Sequence, residues 1–126
     1  MDRNPLPLLV VDAANVVGSV PDGWWRDRRG ANERLRDALI PLHTNGLPSL
    51  GAPLEVVLVV EGAARGVTEV EGVRVLAAPG SGDDAIVDLV RAEAPGRRCA
   101  VVTADRALRA RVTALGAEVL GPRSVR

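Results

Sequence analysis

Short apolar runs and longer segments with helical spacing alternate along the chain. Residues 6–12, 54–60 and 99–103 are short stretches rich in valine, leucine and alanine. Such runs are typical of strands that are buried on both faces of a parallel sheet. Two shorter runs, residues 72–77 and 117–120, predict the third and the fifth strand in chain order.

The first helix is predicted over residues 25–42, where apolar side chains recur at intervals of three and four. Pro41 and Gly46 mark its end, because proline and glycine commonly follow the last helical turn. Residues 13–24 before the helix and 45–53 after it are predicted loops.

Two further helices are predicted in the second half of the chain, over residues 81–94 and 105–115. Glycine or a proline–glycine pair closes each of them. The segment between the second and third strands is too short for a standard helix, which predicts a brief irregular crossover there.

Strands separated by helices indicate an α/β fold with a mainly parallel sheet of four to five strands, covered on both faces. A length of 126 residues suits one domain. We therefore predict a single domain over residues 1–126, with its core at about 6–120.

Arginine supplies all the strong positive charge of this chain. The 16 basic residues are all arginine, and 16 acidic residues balance them to a net charge of zero. Without lysine, Schiff-base chemistry, a P-loop lysine and a receiver-domain lysine are excluded. The zero net charge argues against a polycation that coats nucleic acid through charge alone, although a local basic patch remains compatible with it.

Cys99 is the only cysteine of the chain and His43 the only histidine. An intrachain disulfide, a cysteine zinc cluster and a multi-histidine metal site are therefore excluded. Cys99 is expected to be a small core residue, and His43 a surface or helix-end residue. The first apolar stretch is broken at Asp12, too early for a signal peptide or a membrane span. We expect a soluble, cytoplasmic protein of bacterial type with no membrane partner.

Acidic residues follow the predicted strands where α/β sheets bind ligands, beyond the carboxyl ends of the strands. The expected rim consists of six carboxylates: Asp12, Glu61, Asp83, Asp84, Asp88 and Asp105. Acids grouped without histidine or cysteine are ligands for hard cations, so the sequence predicts Mg²⁺ or Mn²⁺ as cofactor. Asn15 is a neutral group suited to orienting an acid or holding a phosphate. Such metals serve phosphoryl chemistry, in which they activate water and clamp phosphate oxygens.

Each acid except Asp12 also has a plain structural explanation. Asp83, Asp84 and Asp105 suit helix N-termini, where carboxylates cap free N–H groups. Asp88 with Arg91 fits an exposed i,i+3 pair, which is the favoured interpretation, and Glu61 before a glycine fits a strand-end turn. Asp12 follows five apolar residues, and no turn chemistry accounts for it.

Two adjacent tryptophans and nearby arginines lie in the loop before the first helix. Trp24 with Arg26 and Arg28 suits base stacking and phosphate binding. The alternative is that the tryptophan pair packs the helix on the sheet and the arginines pair with Asp22 and Asp27. This alternative is favoured for Trp25 and left open for Trp24. Arg106, next to the acid at the last helix, either binds phosphate or neutralises that acid.

The segments VVDAAN, VVEG, SGDDAIVD and VVTADRALR resemble the PIN-like nuclease superfamily, most closely its NYN (YacP-like) branch. The resemblance spans about residues 6–120. It implies a three-layer α/β/α sandwich and Mg²⁺- or Mn²⁺-dependent RNA cleavage that leaves a 5′-phosphate. The matching positions are Asp12, Asn15, Asp83 or Asp84, Thr103 and Asp105. Alanines replace a frequent glycine in the first motif, and Glu61 stands where an aspartate is frequent.

The leading hypothesis is a metal-dependent ribonuclease that cleaves RNA phosphodiester bonds. Its expected catalytic residues are Asp12, Asn15, Asp84 and Asp105. Its expected metal ligands are Asp12, Asp83, Asp84, Asp105 and Glu61. Its expected substrate-binding residues are Asn15, Trp24, Arg26, Arg28, Thr103 and Arg106.

Two other functions remain open at the level of the sequence. The same acids suit a phosphohydrolase for nucleotides or phosphate esters. A degenerate PIN-like domain would instead bind RNA or a protein without cleaving. A homodimer and a small antitoxin-like protein are further partners compatible with these hypotheses.

Overall fold

The computed structural model describes residues 5–126. Five parallel strands form one sheet in the order β3-β2-β1-β4-β5. The strands are β1 (Leu8–Asp12), β2 (Glu55–Val60), β3 (Val73–Ala77), β4 (Cys99–Val102) and β5 (Glu118–Leu120). The helices are α1 (Ala13–Gly18), α2 (Arg28–Asn45), α3 (Gly82–Glu93) and α4 (Arg106–Thr113). The predicted parallel α/β sheet is confirmed, with five strands.

Side chains of the central strand β1 alternate between two apolar clusters, one on each face of the sheet. Leu9 and Val11 pack with residues of α1 and α2, whereas Leu8 and Val10 pack with residues of α3 and α4. This alternation follows from the two-residue period of a strand. Because helices cover both faces, β1 is buried along its whole length. The α/β/α layering implied by the resemblance is therefore present.

The predicted loop after β1 is wrong in its first part, because α1 begins directly at Ala13. The Asp12 side chain accepts a hydrogen bond from the Asn15 N–H at 3.4 Å, and so caps this short helix. The helix has only six residues, too few for a clear helical period in the sequence.

The predicted bounds of the next helix are also wrong, since α2 begins at Arg28 and continues past Pro41. Its start is fixed by Asp27, which accepts a hydrogen bond from the Gly30 N–H at 3.0 Å. Pro41 and Asp37, whose carbonyl loses its helical N–H partner, are both exposed, so water can satisfy that carbonyl. The helix ends before Gly46, whose φ of 69° suits glycine.

The remaining connections agree with the sequence, apart from the end of the chain. The crossover from β2 to β3 is irregular as predicted, with one short 3₁₀ turn at Gly62–Ala64. The predicted tail after β5 instead contains a 3₁₀ turn, and Val125 beyond it is buried in the cluster under α1 and α2. Among residues 5–126, no helix has the length and apolar character needed to cross a membrane.

The two faces of α2 give a direct test of this packing. Leu39 is fully buried, whereas the neighbouring Ile40 is 39% exposed. We expect Leu39→Ala to lower the free energy of unfolding by about 2–5 kcal/mol, because it leaves a cavity. The matched Ile40→Ala change should cost less than about 1 kcal/mol. Urea unfolding monitored by circular dichroism measures both values, and equal losses would contradict the orientation of α2.

Candidate active site

The candidate site lies at the carboxyl end of β1, between the ends of β2 and β4. Asp12 ends β1 and is only 5% exposed, and Thr103 directly follows β4 and is fully buried. The Thr103 hydroxyl donates a hydrogen bond to Asp12 Oδ2 at 2.8 Å. The buried carboxylate therefore has a fixed orientation at the centre of the sheet edge.

A series of hydrogen bonds continues from Thr103 along the same edge. The Asp105 N–H donates to Thr103 Oγ1 at 3.1 Å, and the Ala104 N–H donates to Asn15 Oδ1 at 2.8 Å. The Asp105 carboxylate in turn accepts from the Leu108 N–H at 3.0 Å and caps α4. Asp12, Asn15 and Asp105 are thus held in one connected arrangement that joins β1 to β4.

Burial raises the pKa of Asp12 above its usual range, and the carboxylates of Asp83 and Glu61 raise it further. The hydrogen bonds from Thr103 and Asn15 act in the opposite direction. An interaction between charges depends on their distance, so these two acids lie within electrostatic range of Asp12.

Asp83 is the aspartate of the α3 N-terminus that faces the other acids. Burial raises its pKa, and Asp105 and Glu61 add to this effect, while Arg111 opposes it. Glu61 is held beside it, because Glu61 Oε2 accepts a hydrogen bond from the Gly82 N–H at 2.7 Å. Gly82 suits this contact, since a Cβ there would lie only 3.3–3.5 Å from the Glu61 carboxyl group.

Asp84 and Asp88 are turned toward arginines on the outer surface. Asp84 accepts a hydrogen bond from Arg111 of α4 at 3.0 Å, and 71% of its side chain is exposed. Asp88 forms the i,i+3 pair with Arg91 at 3.4 Å that the sequence favoured. Of the six expected acids, Asp12, Glu61, Asp83 and Asp105 therefore remain at the rim without an ion pair among residues 5–126.

The donor set at this rim has the right chemistry for Mg²⁺ or Mn²⁺, because it consists of carboxylate and amide oxygens. Within residues 5–126, however, no three acidic, histidine or cysteine side chains converge closely enough to hold a metal ion as they stand. The pKa values of Asp12 and Asp83 are raised first by burial and then by the charges of neighbouring acids. The side chains would have to rotate inward to share a cation.

The aromatic and basic segment before α2 lies next to this rim. The Arg28 guanidinium lies 5.4 Å from the centroid of the Trp24 ring, and Arg26 lies 5.8 Å from that of Trp25. Trp25 is 54% exposed, so the expectation that it packs the helix on the sheet is wrong. The structure also places Asp27 at the helix cap.

A cleft of about 450 Å³ runs between α1, the start of α2 and the end of β2. Trp24, Arg28 and Glu61 line it together with Asn32, a residue that the sequence analysis missed. Asn32 is 5% exposed, and its Nδ2 donates to the Arg28 carbonyl at 2.7 Å. An asparagine at a core-facing helical position is the sequence signal that would have identified it.

Three further residues considered in the sequence, Cys99, His43 and Arg106, take no part in the hydrogen bonds of the rim. Cys99 is buried, and burial raises the pKa of its thiol to about 11, as expected for a core cysteine. His43 is part-buried near the end of α2, with Nδ1 at 2.6 Å from the Leu54 carbonyl. Arg106, the first residue of α4, is exposed beside Asp105.

Comparison with solved structures shows which known fold this is. The crystal structure of Rae1 (YacP) from Bacillus subtilis superposes with a TM-score of 0.74, and a single-substitution mutant of the same protein superposes with 0.70. The chain has the fold of YacP. In both cases 93% of this chain and 70% of the other are covered, at 18% sequence identity.

The resemblance inferred from the motifs is thus confirmed at the level of the fold. No protein-family model matches the chain, and no curated protein matches it by sequence. The similarity therefore concerns the architecture, and the site must be judged on its own residues.

From the raised pKa of Asp12 we predict how the free energy of unfolding changes with pH when no metal is bound. A carboxyl group with a raised pKa binds its proton more tightly in the folded chain than in the unfolded chain. The free energy of unfolding therefore falls as the pH rises from about 3.9, the usual aspartate pKa, through the raised value. Asp12→Asn removes this loss, and the Thr103 hydroxyl still has a partner because it can also accept.

We expect Asp12→Asn to unfold at a higher urea concentration than the parent chain at neutral pH in the presence of a chelator. The difference between the two proteins should shrink as the pH is lowered toward 4 (about the usual aspartate pKa). Asp22→Asn, at an exposed aspartate, is the control. A variant less stable than the parent at neutral pH would show that the Asp12 carboxylate is stabilising as it stands.

Proposed function

We propose that this protein is a Mg²⁺- or Mn²⁺-dependent ribonuclease that cleaves RNA phosphodiester bonds at the acidic rim. The observation that carries the proposal is the buried Asp12, which Thr103 orients and whose pKa the charges of Asp83 and Glu61 raise further. Burial of a carboxylate among other acids is unfavourable for the folded chain. A site that binds a divalent cation gives a functional reason for this arrangement.

Asp12, Asp83 and Asp105 would hold the metal, and Glu61, which follows β2 and is hydrogen-bonded to the Gly82 N–H, would complete the set. A metal bound there supplies the activation of water and the neutralisation of charge on the phosphate oxygens. Thr103 acts through Asp12, whose carboxylate it orients, and therefore has a positioning role.

The neutral and basic residues around the rim suit the phosphate chain. Asn15 presents its side chain beside Asp12, with its oxygen fixed by the Ala104 N–H. Arg106 and Arg26 are exposed and available to phosphates of the strand. In this proposal arginine supplies the charged side chains that contact phosphate, because the chain contains no lysine.

The direct test is cleavage of single-stranded and structured RNA by the purified protein with Mn²⁺. We expect activity that disappears with chelator and falls by more than about 100-fold in Asp12→Asn, since even residues that only support a ligand cost about 10–100-fold. Asp88→Asn is the matched control, because Asp88 forms an exposed pair with Arg91. Gel electrophoresis of labelled RNA measures both.

Three other results would each contradict the proposal. Equal cleavage by the parent and Asp12→Asn would indicate a contaminant. Turnover of nucleotides with RNA left intact would favour a phosphohydrolase. Tight RNA binding without cleavage, and without Mn²⁺ binding by calorimetry, would indicate a non-catalytic domain.

Adjacent aspartates at the start of α3 provide a second test. Asp83 faces the rim, whereas Asp84 pairs with Arg111. We expect Asp83→Asn to lower the cleavage rate and Mn²⁺ affinity by about 100-fold or more, and Asp84→Asn to lower them by less than about 10-fold. Calorimetric titration with Mn²⁺ gives the affinity independently of cleavage. The reverse order would place Asp84 in the metal site instead.

A further inference from the structure

The cleft beside the acidic rim contains a buried polar atom without a partner. Asn32 lines the cleft, and its Oδ1 accepts no hydrogen bond from any side chain or backbone group among residues 5–126. Its Nδ2 donates to the Arg28 carbonyl. Because a carbonyl can only accept, this contact distinguishes the nitrogen of the Asn32 amide from its oxygen. The free group is therefore an acceptor that needs a donor.

An unsatisfied acceptor of this kind is costly to bury, because it has lost its hydrogen bonds to water without a replacement. Such a group persists where a ligand or water supplies the missing donor. The cleft has the volume of a small-ligand site, since about 450 Å³ falls within the usual range of roughly 300–1,000 Å³.

The other lining residues indicate the chemical class of the ligand. Trp24 presents an indole ring, and Arg28 and Arg65 place guanidinium groups at the same cleft. Indole rings stack on nucleobases, and guanidinium groups bind phosphate. Every nucleobase also carries an N–H donor on its edge that can satisfy an amide oxygen.

Glu61 places the cleft next to the proposed reaction centre. It lines the cleft, and its Oε2 also accepts a hydrogen bond from the Gly82 N–H at 2.7 Å, directly before Asp83. A ligand in the cleft is therefore separated from the acidic rim by a single side chain.

We propose that this cleft binds one unpaired nucleobase of an RNA strand, stacked on Trp24, and that the buried amide of Asn32 turns toward the base so that Oδ1 accepts its hydrogen bond. The strand then continues over Glu61, so that a neighbouring phosphate lies at the acidic rim. This proposal rests on the ribonuclease function for its substrate. It adds a binding site for one base beside the cleaved bond.

The two tryptophans allow a test that leaves Trp24 in place. Trp25→Phe leaves Trp24 as the only tryptophan, and Trp24→Phe leaves the exposed Trp25. Both are made in the Asp12→Asn background and titrated in chelator, so that cleavage and metal do not affect the result. We expect oligoadenylate to quench the fluorescence of Trp24 and to leave that of Trp25 nearly unchanged.

An abasic strand of the same length should give no quenching, because it carries the phosphates without the bases. Trp24→Ala should weaken oligoadenylate binding by about 5-fold or more, the lower limit for loss of one stacked base. Trp25→Ala is the matched control and should bind as the parent does. Equal quenching of both tryptophans, or equal binding by both alanine variants, would overturn the proposal.

The role of Asn32 is tested by Asn32→Ala. We expect roughly 2- to 10-fold weaker binding of oligoadenylate, the loss of one hydrogen bond, with unchanged binding of the abasic strand. Thermal melting checks that the variant is folded. If both strands lose affinity equally, Asn32 acts on the fold or on the phosphates, and the base contact is overturned.

Binding of adenosine monophosphate and of duplex RNA shows whether the ligand is a single strand, a small nucleotide or a duplex. We expect both to bind more weakly than the single strand, and monophosphate binding as tight as that of the strand would overturn the RNA assignment in favour of a small nucleotide. Quenching of Trp24 without Mn²⁺-dependent cleavage would refute the proposed function alone. Cleavage without selective quenching would refute this proposal alone.

Discussion

The buried hydrogen bond from Thr103 to Asp12 is the contact on which the arrangement of the site depends. It joins the ends of the neighbouring strands β1 and β4 at a point that water hardly reaches. Because β1 lies in the middle of the sheet, its last residue cannot turn toward bulk water to relieve the cost of burying a charge. The hydroxyl group and the first turn of α1 provide the polar contacts that this carboxylate has.

The acids of the neighbouring elements add repulsion to the cost of burying the Asp12 charge. Glu61 is held at the N-terminus of α3 by the Gly82 N–H, and Asp83 lies in the first turn of that helix. A helix N-terminus favours nearby negative charge, so the fold can keep these acids close together although they repel. Arg111 stabilises part of this group from α4. The result is a rim in which proton uptake or cation binding are the two ways to lower the repulsion.

The sheet was predictable from the sequence because its strands are continuous apolar runs, and their order places the acids at one edge. Two features were not predictable for physical reasons. The short helix α1 has a single turn and a half of periodicity, and its formation depends on the Asp12 cap. The difference between Asp83 and Asp84 depends on where Arg111 lies, which is a tertiary contact between helices that are distant in sequence. Trp25 was misjudged because a tryptophan is usually buried.

Glu61 lies between the acidic rim and the cleft, and its position follows from the strand order. It follows β2, which neighbours β1 on the side of the cleft, so the same residue that faces the acids also borders Trp24, Arg28 and Asn32. A rim of acids alone would repel a polyanion. Arginines and an aromatic ring line the cleft that Glu61 also borders, so positive charge lies on its other side. The zero net charge of the chain is thus compatible with an anionic ligand, because charges of opposite sign are separated across this one residue.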